Sequence, residues 1–142
     1  MDRLQDPMVF EERLHEPDLG DYFEKFNAFE WMADERNIVF LEGDSLGVFE
    51  YDIPHVYTAH YMFRSHRGKE AKELSLNMLR KIKNEHDAKV IRGIIEVDNR
   101  ASRWMTRQLG FKSHGIVDTI VGPCEIFTMN LNERFSEEDK NG

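Results

Sequence analysis

With 142 residues, 40% of them hydrophobic and 11% aromatic, the chain has enough apolar material for one buried core and too much for a disordered polymer. No apolar run approaches the roughly 20 residues that cross a bilayer, and the start Met1-Asp2-Arg3-Leu4-Gln5-Asp6 lacks a secretory pattern. The one cysteine, Cys124, excludes an intrachain disulfide and argues against a cysteine-based zinc site, so a cytoplasmic location is expected. The net charge of −8 argues against a nucleic-acid partner.

In chain order, Met8–Leu14 is a weak strand candidate. Leu19, Tyr22, Phe23, Phe26 and then Trp31-Met32 recur at helical spacing and predict a helix from about Leu19 to Met32. Ile38–Leu41 and Leu46–Tyr51 flank Glu42-Gly43-Asp44-Ser45 and read as a β-hairpin, and Val56–Phe63 is a third strand of the same meander. From Gly68 to about His86, Ala71, Leu74, Met78, Leu79 and Ile82 form a helical stripe, and Val90–Val97 follows as a strand. A strand, helix and strand of this size favour a parallel pair. Asp98-Asn99 opens a second helix with apolar face Ala101, Trp104, Met105 and Leu109, stopped at Gly110. Strands Phe111–Ile120 and Cys124–Leu131 complete the order β-α-β-β-β-α-β-α-β-β. The expected architecture is thus a single α/β domain with a mixed sheet over residues 1–134, followed by a polar, acidic tail at 135–142.

Charge is distributed unevenly along this order. Residues 64–112 hold 13 Lys/Arg against 6 Asp/Glu, and the remainder holds 6 against 21. A basic segment in an acidic chain suits a polyanionic ligand and a cationic partner, or is ordinary surface variation. Within it, Arg64-Ser65-His66-Arg67-Gly68-Lys69-Glu70-Ala71 joins a strand end to a helix start. A helix N-terminus offers unpaired N–H groups and the positive end of a dipole, Gly68 permits close approach, and Arg64, Arg67 and Lys69 add charge. The segment is either a diphosphate cradle or a basic helix cap. A second segment, Asn99-Arg100-Ala101-Ser102 through Leu109-Gly110-Phe111, is a helix opened by Asn and closed by Gly-Phe. Its Arg100, Arg103 and Arg107 stripe reads as a solvated face. The histidines show no metal-ligand spacing, so no metal is expected.

Together, over roughly Val56 to Leu131, these two segments resemble the GNAT superfamily of acetyl-CoA-dependent N-acetyltransferases. Its fourth strand leads into a Gln/Arg-x-x-Gly-x-Gly/Ala loop, and its Asn-x-x-Ala/Ser helix ends in Gly-Phe. Aligned on Gly68, the loop's Gln/Arg position is Ser65 and its second small position is Glu70, with Arg64 and Ala71 one residue away. The run His60-Tyr61-Met62-Phe63 with Arg67-Gly68-Lys69 and Ala71 is most similar to phage-encoded members, some of which are linked to head assembly. The resemblance implies a GNAT fold and acetyl-CoA as co-substrate, held by Met62, Phe63, Arg64, Arg67, Gly68, Lys69, Glu70, Ala71 and Asn99. It implies a backbone oxyanion contact at Met62, with the arm of CoA paired to Met62 and Arg64. It implies an amine acceptor, suited to being cationic by the acidic N-terminal half, and leaves room for a homodimer.

His60 and Glu96 are the candidate bases for the amine proton, and each reads equally as an ordinary strand residue. The tyrosine that the family often uses to protonate the thiolate falls at Thr106, too weak an acid for that role. Two functions therefore stand: an N-acetyltransferase, and a non-catalytic binding protein of the same fold.

Overall fold

A computed structural model describes residues 1–15 and 26–136. The chain begins with a two-residue strand, β1 (Asp2–Arg3), and then a helix, α1 (Pro7–Leu14), where the sequence suggested a strand. The overriding signal is local. Asp6 caps the helix by accepting from the Met8 N–H at 2.9 Å, and Pro7 sits at the first helical position, where its missing N–H costs nothing. Of the helix expected over Leu19–Met32, residues 19–25 lie outside the described residues, and the rest is the short α2 (Ala28–Ala33), capped by Asn27.

The meander follows as expected: β2 (Ile38–Glu42), β3 (Ser45–Ile53) and β4 (Val56–Met62). Next come α3 (Lys69–His86), β5 (Val90–Glu96), α4 (Arg100–Leu109), β6 (Lys112–Thr119), β7 (Gly122–Asn130) and a four-residue helix, α5 (Leu131–Arg134). The strands form one seven-stranded mixed sheet in the order β1-β2-β3-β4-β5-β7-β6, in which only β4 and β5 are parallel. The α/β class and the β2-to-β7 order are those the sequence predicts.

Side chains that alternate along each strand feed two cores. Ile38, Phe40, Phe49, Tyr57 and Ile91 join Leu74, Met78, Leu79 and Ile82 of α3. Val39, Leu46 and Val48 join Phe10 and Leu14 of α1 and Ala28 of α2. A Cβ at Gly47 would stand 2.3 Å from the Met78 Sδ, so the absent side chain lets α3 lie close on β3. Phe135, assigned with the tail by sequence, is 2% exposed and packs into the first core.

Helix α4 departs from its expected burial. Only Leu109 is buried, and Trp104 is 59% exposed. Two of its three arginines do more than face solvent: Arg103, only partly exposed, brings Nε to Glu125 Oε1 at 2.7 Å, and Arg107, still exposed as expected, meets Oε2 of the same carboxylate. Glu125 is 3% exposed. Ser113 Oγ donates to it as well, at 2.5 Å. A buried carboxylate persists only when so compensated.

Candidate active site

The site is a gap between the two parallel strands. β4 and β5 pair only at Val56 with Val90, Tyr57 with Ile91 and Thr58 with Arg92. Beyond that point each strand stays with its outer neighbour. β4 remains paired to β3 as far as Met62 with Leu46, and β5 remains paired to β7 as far as Glu96 with Cys124. Because each follows a different partner, the two diverge and open a cleft of about 560 Å³. Its walls include His60, Tyr61, Met62 and Phe63 of β4 and the turn after it, Gly93 to Glu96 of β5, and Ser102, Met105 and Thr106 of α4.

The open edge of β4 carries free backbone groups, and its phase is fixed at both ends. The His55 carbonyl accepts from the Lys89 and Val90 amides on the β5 side, whereas the Arg64 amide donates to Ser45 Oγ on the β3 side, at 3.3 Å. Successive residues of a strand alternate in this direction. The N–H and C=O groups facing the cleft are therefore those of Tyr61 and Phe63. The expected backbone contacts at Met62 and Arg64 are out of phase by one residue, which the alternation of apolar side chains alone does not reveal.

At the floor of the cleft lies the turn into α3. Gly68 holds φ 57° and ψ −123°, and a Cβ there would meet nothing within 4 Å. The Arg67 carbonyl takes the amides of Glu70 and Ala71, while the amides of Arg67, Gly68 and Lys69 meet no acceptor among the described residues. Free N–H groups at the start of an 18-residue helix favour an anion. Arg67, Gly68 and Ala71 line the cleft, as do Met62, Phe63 and Asn99. Asn99 uses Oδ1 to cap α4 through the Ser102 amide at 3.2 Å.

Three of the expected ligand-binding residues are not brought there. Lys69 and Glu70 are exposed on the first turn and do not line the cleft. The Arg64 guanidinium instead donates to the carbonyls of Asp44 at 3.0 Å and Arg13 at 2.8 Å.

Both candidate bases line the cleft. By alternation His60 shares a face with Thr58 and Glu96 shares a face with Arg92; since Thr58 and Arg92 are paired, the two bases point to the same side of the sheet. His60 keeps solvent exposure, but partial desolvation by the surrounding protein lowers its pKa below the ordinary 6.5, and the Glu50 and Asp52 carboxylates pull it back up. Sequence reasoning missed these two acids, although the hairpin register, which pairs Val48 with His60 and Glu50 with Thr58, was in principle readable from the turns. Glu50 accepts from the Trp31 indole at 3.2 Å, and Asp52 accepts from Thr58 Oγ1 at 2.6 Å with Arg92 Nε at 3.6 Å.

Two hydroxyls complete the walls. Thr106 Oγ1 donates back to the Ser102 carbonyl at 2.7 Å. The Tyr61 hydroxyl is buried without a partner among the described residues, and burial raises its pKa above 10. Among the described residues no group of side chains is arranged to hold a metal ion, and no helix is long and apolar enough to cross a membrane.

Comparison with family models and with curated protein sequences gives no match. Solved structures do match. A GNAT-family acetyltransferase from Bacillus anthracis superposes with a TM-score of 0.65 at 15% identity, covering 92% of this chain and 94% of its own. The chain has the fold of the GNAT acetyltransferases. Aminoglycoside acetyltransferase AAC(6')-Ib, in complex with coenzyme A, gives 0.68 at 15% identity over 94% of each chain. A mutant spermidine N-acetyltransferase from Vibrio cholerae gives 0.70 at 11% identity over 97% and 99%.

Proposed function

We propose that this chain is an N-acetyltransferase that takes its acetyl group from acetyl-CoA and delivers it to a cationic amine. The observation that carries the reading is the parting of β4 and β5 into a cleft that the unobstructed Gly68 turn also lines. The residues present fit acetyl-CoA. The amides of Arg67 and Gly68, which line the cleft, with the Arg67 side chain, suit a diphosphate. The free edge groups of Tyr61 and Phe63 suit an extended arm bearing amides, and the orphaned Tyr61 hydroxyl lacks only a hydrogen-bond partner. When bound, acetyl-CoA supplies an activated thioester.

The chain supplies the groups around the reacting amine, and the thiolate released as the carbon–nitrogen bond forms and the carbon–sulfur bond breaks takes its proton from water. A cleft-facing amide of β4, from Tyr61 or Phe63, donates to the carbonyl oxygen as negative charge develops there, which is usually a large catalytic contribution. His60, whose pKa is lowered by partial desolvation in the cleft, accepts the amine proton. Glu96 stands on the same face as a second acceptor, and Glu50 and Asp52 attract a cationic substrate toward it.

Calorimetry with CoA and acetyl-CoA, followed by a thiol-release assay over polyamines, amino sugars, lysine and peptide N-termini, tests the reading. Absence of binding at high protein concentration removes it. A second reading is a binding protein of this fold without catalysis, of the kind implied by the likeness to phage-encoded members. Thr106 supports it, because its hydroxyl is committed to the Ser102 carbonyl where the family often has an acid. Acetyl transfer to any amine in the panel eliminates it.

A further inference from the structure

The turn between β4 and α3 is held from outside, by the hairpin between β2 and β3. Asp44 Oδ1 accepts from the Ser65 amide at 3.2 Å and from Ser65 Oγ at 2.6 Å. Ser45 Oγ accepts from the Arg64 amide and lies 2.8 Å from His66 Nδ1. Ser45 is completely buried. A buried hydroxyl needs an acceptor for its proton, and the Arg64 amide is only a donor. Among the described residues the one acceptor recorded at Ser45 Oγ is His66 Nδ1. This arrangement has Ser45 donating to Nδ1, which puts the ring N–H on Nε2.

That Nε2 has no partner among the described residues and is not closed off from solvent. The ring lines the cleft together with Arg67 and Gly68. It is also fixed in place, with the Phe63 ring edge-on at 6.3 Å and Gly43 against its Cε1 edge, where an added Cβ would come to 3.9 Å. Position 65, where the resembling loop has Gln or Arg, is here turned away to Asp44.

We infer that His66, locked by Ser45 in the Nε2–H form, is a binding residue for the diphosphate of the co-substrate and supplies the side-chain donor that Ser65 does not. The inference rests on the CoA-binding reading above, and the experiment separates their failures. CoA affinity is measured by calorimetry for the wild type, His66→Phe and His66→Gln. In parallel, ¹⁵N–¹H correlation spectra of the wild type and Ser45→Ala report the His66 tautomer with and without CoA, and with inorganic diphosphate.

The wild type is expected to show His66 as the Nε2–H tautomer, with Nε2 shifted by both CoA and inorganic diphosphate. His66→Phe is expected to weaken CoA binding about tenfold and to lower the melting temperature somewhat, because the buried Ser45 hydroxyl loses its acceptor, and His66→Gln, which retains a donor near the Nε2 position, to recover most of the lost affinity. Ser45→Ala is expected to mix the tautomers. If the wild type binds CoA and His66→Phe binds it equally, or if Nε2 does not respond, the inference falls and the CoA reading stands. If the wild type binds no CoA, both fall.

Discussion

Two groups of acids sit on the same sheet and are treated in opposite ways. Glu125, on β7, is buried and receives Arg103, Arg107 and Ser113. Glu50 and Asp52 act on His60, Glu96 lines the same cleft, and Glu50 and Glu96 are exposed. At Glu125 every lone pair within reach of a donor is used, so the cluster joins α4 to β6 and β7 and has nothing left for a ligand. Around His60 the charges are undercompensated: Arg92 reaches only Asp52, at 3.6 Å, and Glu50 meets an indole rather than a cation. A satisfied cluster fixes a fold, whereas an unsatisfied one in a cleft is free to act on something else. The same contrast runs along β4, which is zipped to β5 at Val56–Thr58 and open beyond.

If that division holds, substitutions in the two groups affect different measurements. The largest effect is expected at His60. His60→Gln should lower kcat for acetyl transfer by about 10² to 10³ while leaving CoA affinity within about threefold. In the wild type, kcat/KM should fall as pH drops through a value below 6.5, because the lowered pKa keeps the base neutral further into acid. Stability has the same sign: the unfolded chain binds this proton more readily, so His60 destabilises the fold as pH falls below 6.5, until the folded pKa is passed. An unchanged kcat with an unchanged pH profile would move the base to Glu96.

At Glu125 the effect belongs to stability instead. Glu125→Ala strands two arginines and should cost about 3 kcal/mol in denaturant unfolding, with little change in CoA binding. The net balance of Ser113, Arg103 and Arg107 against burial holds the Glu125 pKa below 4.5. The stability it contributes is thus present above 4.5 and is lost as pH falls through the lower folded value. The acid limb of the wild-type stability curve should be shallower in Glu125→Gln. A parallel acid limb in the two proteins would remove the cluster from that role.

An intermediate effect is expected at the turn below the cleft. At φ 57° and ψ −123° a side chain is strained even though the space is open. Gly68→Val should therefore cost about 1–3 kcal/mol of stability and weaken CoA binding at least tenfold by standing over the free amides. Tight CoA binding by the folded variant would dissociate this turn from the diphosphate.

Most of the sheet was legible because its signals are local. Hydrophobic period, the Gly43-Asp44 turn, the Asn99 cap and the Gly110 stop each act within a few residues, and β2 to β7 formed where those signals lie. Met8–Leu14 was misread because the decisive signal, Asp6-Pro7, precedes the apolar run. The site was legible only in outline. Gly68, Arg67, Asn99, His60 and Glu96 do line one cleft. Arg64 was misplaced because its partners lie 20 and 51 residues away, and the roles of Ser45 and His66 depend on a hairpin meeting a loop 21 residues further on. Backbone phase along β4 is likewise a tertiary property, set by β3 and β5 together rather than by the strand's own sequence.

The smallest effect expected is the one that most sharpens the contrast between the two acidic groups. Glu50 is exposed, so its attraction for a cation is screened by water and salt and amounts to about 1 kcal/mol or less. Glu50→Gln should raise KM for a cationic acceptor about two- to fivefold at low salt, and the difference should shrink toward 0.5 M salt as the screening length falls. It should leave kcat nearly unchanged, because the carboxylate acts on approach and not on the transferred proton. It should also release Trp31, which packs against Phe10 and Phe26 in any case, so the fold should survive. A neutral amine acceptor should show no change in KM. If cationic and neutral acceptors respond alike, the acids around His60 act only through the histidine, and acceptor selectivity must come from the shape of the cleft.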